Sequence, residues 1–296
     1  MARTKRKHQM AASVAMLPAF VTALLIYVVC TGWTIWVSFT NSRLLPSSQF
    51  VGLAQYERLF ANERWQISFG NLFVFGGCFL AISLILGLLM AIMIDQRVRF
   101  ENLLRAVFLY PYAMSFVVTG LVWQWFLNPE LGLQKLMRGL GWESFTFDWL
   151  VNPDFVVFTL VIAAVWHASG LVMAIMLAGL RGVDSEIWKA AKIDGIPAWR
   201  VYVSIVLPML GSVFATAIVL MSITVVKLYD LVVAMTNGGP GNESEAPAKF
   251  VMDYLFERGN IGLATAASTI MLITVLVVLA PYLYFKYGRH NRGAHA

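Results

Sequence analysis

Residues 181–208 read Arg181-Gly-Val-Asp-Ser-Glu-Ile-Trp-Lys-Ala-Ala-Lys-Ile-Asp-Gly-Ile-Pro-Ala-Trp-Arg-Val-Tyr-Val-Ser-Ile-Val-Leu-Pro208. Asp184 or Ser185 is suited to cap a short helix running to about Asp194, Gly195 suits its C-terminal stop, and Pro197 suits the first turn of a second helix. The segment therefore predicts a helix–break–helix. It lies between two long apolar stretches, and two neighbouring helices can be joined by a loop of a few residues, so a connection this long has a purpose besides turning the chain. Small Ala190 and Ala191 let another surface come close, while Trp188, Ile193 and Trp199 supply apolar anchors, a shape that fits a groove on a second protein. An amphipathic helix resting on lipid headgroups would need neither the Asp194-Gly195 break nor the paired alanines.

The rest of the chain places this segment at a membrane. Of its 296 residues 59% are hydrophobic and only 13% charged, with a mean hydropathy of +0.71; soluble domains carry about a quarter charged residues. A helix needs about 20 apolar residues to cross the hydrocarbon core. Six stretches without Lys, Arg, Asp or Glu satisfy this: His8–Ser42, Trp65–Ile94, Ala106–Pro129, Phe155–Leu180, Val201–Val226 and Gly259–Phe285. They predict an all-α membrane protein of six spans, about 10–38, 67–94, 105–127, 155–180, 203–235 and 260–285, with 181–204 as a connecting loop. The first stretch is too long for a signal-peptide core.

Charge sets the orientation. With the N-terminus inside, fourteen of the 22 basic residues fall in cytoplasmic segments and seven in outer ones, with Lys227 inside the fifth stretch, which puts both termini in the cytoplasm. The net charge of +6 is scattered between apolar runs rather than gathered on one face, so it marks topology and not nucleic-acid binding. Trp33, Trp36, Trp65, Trp123 and Trp125 are placed for an aromatic belt at the outer boundary. Cys30 and Cys78 lie in apolar runs without metal or redox spacing and are expected as buried thiols.

No Gly-x-x-x-x-Gly-Lys-Ser/Thr loop is present in the sequence, nor Gly-x-Ser-x-Gly or His-Glu-x-x-His, so the chain carries no sequence sign of an ATP site, a catalytic site or a metal site. Within the spans the ionisable residues are His167, Lys227 and Asp230, each a candidate because such groups are costly in hydrocarbon. Lys227 and Asp230, three residues apart, can pair on one helix face, with Tyr229 beside them. Either the three contact substrate hydroxyls or an anionic group, or the pair neutralises itself while the lysine reaches the interface. Trp166 and His167 either stack on and grip a sugar ring, or the histidine is satisfied by a neighbouring helix. Gly170, Ala174 and Ala178, four residues apart, suggest close helix packing.

The sequence Lys189-Ala190-Ala191-x-x-Asp194-Gly195, with Leu207-Pro208 placing its proline thirteen residues after the glycine, resembles the EAA loop of ABC-importer permeases. Leu17-Pro18, Ser38-Phe39-Thr40, Val51-Gly52-Leu53-x-x-Tyr56, Pro111, Trp123, Asn128-Pro129, Asp230-Leu231 and Thr236-Asn237-Gly238-Gly239-Pro240-Gly241 are similar to the maltose-type sugar-permease branch, so the resemblance runs along nearly the whole chain. It implies a MetI-like bundle in a bacterial inner membrane, paired with a second homologous permease and two ATPase subunits that bind ATP and Mg. An extracytoplasmic solute-binding protein would deliver a sugar to the outer loops. The loop residues Glu186, Lys189, Ala190, Ala191, Asp194 and Gly195 would dock on the ATPase. One position departs from the pattern: Lys189 stands where the family usually has Glu, and Glu186 lies three residues earlier on the same helical face.

Overall fold

The structure, a computed structural model, describes residues 2–96 and 98–292, with side chains described for 16–96, 98–278 and 280. Arg97 lies outside the described residues, as do the side chains of the terminal basic residues Arg3, Lys5, Arg6, Lys7, Lys286, Arg289 and Arg292.

The elements are all helical: α1 (Ala2–Ser38), α2 (Ala54–Phe60), α3 (Glu63–Asp95), α4 (Glu101–Ala113), α5 (Phe116–Phe126), α6 (Leu133–Gly139), α7 (Val156–Arg181), α8 (Ser185–Ile193), α9 (Ala198–Val201), α10 (Leu207–Met209), α11 (Gly211–Val226), α12 (Asp230–Met235), α13 (Pro247–Met252) and α14 (Ile261–Arg292). Single π turns follow α9 and α13. Two compact units are distinguished, Met1–Ala61 with Val251–Ile273, and Asn62–Phe250 with Thr274–Ala296.

In the first unit a buried polar knot ties the chain after α1 to the start of α14. Gln55 Nε2 donates to the Thr40 carbonyl (3.0 Å), the Thr40 and Ser42 hydroxyls bond at 2.6 Å, and the Gly262 N–H donates to the Ser42 carbonyl at 2.8 Å. These bonds satisfy groups that are fully hidden from water, as burial requires.

In the second unit α3 and α7 form the principal helix pair. Asn62 caps α3 by accepting from the Trp65 N–H at 3.3 Å, and Phe75 and Phe79 stack with centroids 5.4 Å apart in the same core as the buried Met173 and Met176. α7 is the central helix: 67% of its apolar window is buried, against 6% for that of α1. Gly170 lets α7 meet α4, since a Cβ there would stand 1.9 Å from the Phe108 carbonyl oxygen. The packing expected of the small residues therefore holds at Gly170, whereas Ala174 is half-buried and Ala178 exposed.

Among the described residues four helices are long and apolar enough to cross a membrane: Met16–Ser38 of α1, α3, α7 and Ile261–Val278 of α14. The third and fifth expected spans are not straight rods. α4 and α5 meet at 97°, because Met114 adopts an extended conformation after Pro111 and Ser115 starts a new helix by accepting from the Val118 N–H at 3.3 Å. Ala198–Met209 and α11 meet at 69° next to Pro208, which has no N–H to continue the ladder. The chain breaks again at Lys227–Tyr229, so 203–235 is a series of pieces rather than the single helix its composition suggested.

Two side-chain expectations are corrected. Cys30 is exposed, since α1 buries so little of its surface, and Cys78 of α3 is half-buried. Trp65 is buried against Phe69 and Phe250, with centroids at 5.4 and 5.2 Å, so it packs in a core instead of an outer belt.

Candidate functional site

The 181–204 segment folds as a capped helix, a left-handed stop and a second helix. The Asp184 carboxylate accepts from the Glu186 N–H at 2.9 Å to start α8. At its end the Gly195 N–H donates to the Lys192 carbonyl (3.3 Å) and the Ile196 N–H to the Ala191 carbonyl (3.0 Å), the paired bonds of a Schellman stop. That stop needs a residue at positive φ, and Gly195 supplies it at +69°; a residue with a Cβ is strained there. Pro197, expected in the first turn of the next helix, caps α9 from just outside it.

The segment has two faces. Ile193 (85% exposed) and Trp199 (68%) project outward beside exposed Ala190, Asp194 and Gly195. Inward, Ala191 is buried and Trp188 packs edge-on against Tyr202, centroids 5.0 Å apart. Trp188 and Ala191 are thus internal struts, and the outward anchors reduce to Ile193 and Trp199. Lys189 Nζ bonds Glu186 Oε1 at 2.9 Å with both side chains exposed, so the acid that stands nearest to the missing family Glu is already neutralised on its own helix.

A charged cluster beneath the loop was missed by sequence reasoning. Arg181, the last residue of α7, reaches Glu101 Oε1 at 2.8 Å and Asp95 Oδ1 at 3.6 Å, and Arg105 bonds Glu101 at 2.7 Å. Only the i,i+4 spacing of Glu101 and Arg105 was visible beforehand; the contacts between helices were not.

The residues expected in the spans do not form one site. His167 is buried and its Nδ1 lies 3.2 Å from the Thr119 hydroxyl, with Phe116 stacked on the ring at 4.1 Å, so α5 satisfies it. Trp166 is partly exposed beside Trp123, centroids 5.9 Å apart. Lys227 ends α11, Tyr229 precedes α12, and Asp230 begins it. This break removes the common helical face on which Lys227 and Asp230 were expected to pair, and no ion pair joins them among the described residues. Lys227 instead lines an apolar groove of about 360 Å³ between α3, α11 and α14, with Ser222 and Thr274 among its few polar walls. Among the described residues no group of three or more His, Cys, Asp or Glu side chains is arranged to hold a metal ion.

Comparison with known proteins places this geometry. Residues 83–288, which include the bent helices and the whole 181–204 segment, match the sequence family of binding-protein-dependent transport system inner membrane components. The chain belongs to this family. It is a permease subunit, a transport component and not an enzyme. The permease is 36% identical over 279 residues to a protein named as a probable ABC transporter permease in Pyrococcus horikoshii, covering 94% of this chain and 96% of that one. It is 31% identical over 261 residues to the xylose/arabinose import permease protein of Haloferax volcanii, covering 87% and 82% of the two chains. Its fold matches a chain in the crystal structure of a bacterial ABC transporter involved in the import of the acidic polysaccharide alginate, with a TM-score of 0.80 at 17% identity over 97% of this permease and 99% of that chain.

Proposed function

We propose that this permease passes a sugar or sugar derivative across a bacterial inner membrane, driven by ATP hydrolysis on separate subunits. Six spans would result if each bent pair crosses once, and the bias of basic residues supports cytoplasmic termini. The relatives named for pentose and alginate import support a carbohydrate, delivered by an extracytoplasmic binding protein. A second homologous permease would complete the pathway, and two ATPase subunits would hold ATP and Mg.

The observation that carries this reading is the outward face of α8 and its stop, with Ile193 and Trp199 unburied on a segment built to hold one shape. An ATPase groove would receive these anchors together with Glu186, Lys189, Ala190, Asp194 and Gly195, while Ala191 packs behind them. Closure of the ATPase dimer on ATP would then move the loop, and the helices would rock between outward- and inward-facing states. Lys227, Tyr229 and Asp230 remain candidates for the substrate pathway because Lys227 and Asp230 are exposed and Tyr229 half-buried at the helix break. Trp166, partly exposed, remains one too. His167, held by Thr119, is the weakest of the group.

The test is ATP hydrolysis by the purified complex in lipid, with binding protein and candidate sugars. Stimulation by one loaded binding protein, abolished by Asp194→Arg or Gly195→Pro in a folded complex, is the expected result. Hydrolysis indifferent to sugar and to both loop changes would overturn the reading.

A further inference from the structure

Both ends of the docking loop are tied to the same place, the end of α3. On entry, Arg181 reaches Asp95. On exit, the Tyr202 hydroxyl accepts from Gln96 Nε2 at 3.3 Å. The middle of the loop joins the same site, because Trp188 packs on the Tyr202 ring and shares one cleft with Asp95, Gln96, Ala198 and Tyr202. Arg181 also holds Glu101 at the start of α4, so the strap gathers the ends of α3, α4 and α7.

A displacement applied to α8 has to go somewhere. Its outward face is free, but its inward side carries Trp188, which packs on Tyr202 beside the α3 terminus, and Ala191 and Val201 are buried. α3 is 33 residues long and forms the principal helix pair with α7, so a push at Asp95–Gln96 acts along the core of the second unit. We infer that Asp95 and Gln96 are positioning residues that receive the loop's movement, and that residues 181–202 and the last turn of α3 travel as one body during transport. The inference rests on the docking reading above, but makes a separate claim: the loop does not hinge against α3.

The test uses the assembled complex in proteoliposomes, with Cys30 and Cys78 replaced by alanine. Gln96→Cys with Tyr202→Cys removes the exit tie, and transport per ATP hydrolysed is expected to fall about fivefold or more, the usual scale of a coupling energy. A short thiol-specific linker between the two cysteines should restore it. Restoration is not expected of a residue that only stabilises the fold. A linker that stops transport while ATPase binding persists would overturn the inference, as would a double-cysteine complex that couples as well as its parent without any linker. The ion-pair arm is independent: Arg181→Glu and Glu101→Arg should each uncouple, and the double exchange should recover coupling; equal loss in all three would also overturn it. Loss of the docking reading is distinct, being hydrolysis in the parent complex that ignores Asp194→Arg.

Discussion

Gly170 and Gly195 are both glycines that the fold cannot exchange, for different reasons. At Gly195 the constraint is backbone conformation, a φ of +69° that closes α8. At Gly170 it is space, because the Phe108 carbonyl of α4 occupies the volume a Cβ would take. Gly170→Ala therefore forces α4 away from α7 and should lower the yield and melting temperature of the purified permease, whereas Ala178→Leu, which keeps helix propensity at an exposed position, should move the melting temperature little. Equal melting temperatures for Gly170→Ala and the parent would show that α4 yields without cost. His167 illustrates the same scale: an intramembrane histidine raises the suspicion of function, but Thr119 and Phe116 account for it as a buried group with a partner.

At the scale of elements, the loop was the most legible part of the sequence. Its cap, glycine stop and second helix follow from local chemistry, and Asp184, Gly195 and Pro197 announce them within a few residues. The breaks in the third and fifth spans were less legible. Pro111 and Pro208 signal a possible bend, but apolar composition is the same on both sides of the bend and gives no angle. Least legible was what the segment after α12 does, because its contacts come from α3. Glu245, fully buried, pairs with Arg64, and Asn71 donates to the Glu243 and Glu245 carbonyls at 2.7 and 2.9 Å. The sequence separation of 181 residues hides that pair. Arg64→Met leaves the carboxylate buried without its guanidinium, and breaking such a pair costs about 3–5 kcal/mol. Thermal unfolding in detergent should show a marked loss for this change and almost none for Lys189→Met, whose pair is exposed; similar shifts for the two would rule out a structural role for the buried pair.

For the whole molecule, the composition and the apolar stretches carried the membrane assignment, and the bent pairs decide whether the chain crosses six times. Six crossings put position 99, before α4, and position 135, after α5, on opposite sides. Single cysteines in place of Arg99 and Lys135, each in the background lacking Cys30 and Cys78, should react with a membrane-impermeant maleimide from opposite faces of sealed vesicles. Reaction of both from the same face would mean that a bent pair turns back within the membrane. The substrate was illegible because the candidate residues are dispersed: His167 is held on α5, and Lys227 looks into an apolar groove.

The division of the loop into an outward and an inward side bears on how such permeases can be rewired. Trp188, Ala191 and Tyr202 face the permease's own body, while Lys189, Ile193, Asp194 and Trp199 face away. On the proposed docking, partner choice and mechanical linkage would be written on separate residues of one short segment. A graft intended to make this permease accept a foreign motor would exchange the second set and leave the first in place, whereas transplanting the loop wholesale would carry in struts shaped for another scaffold.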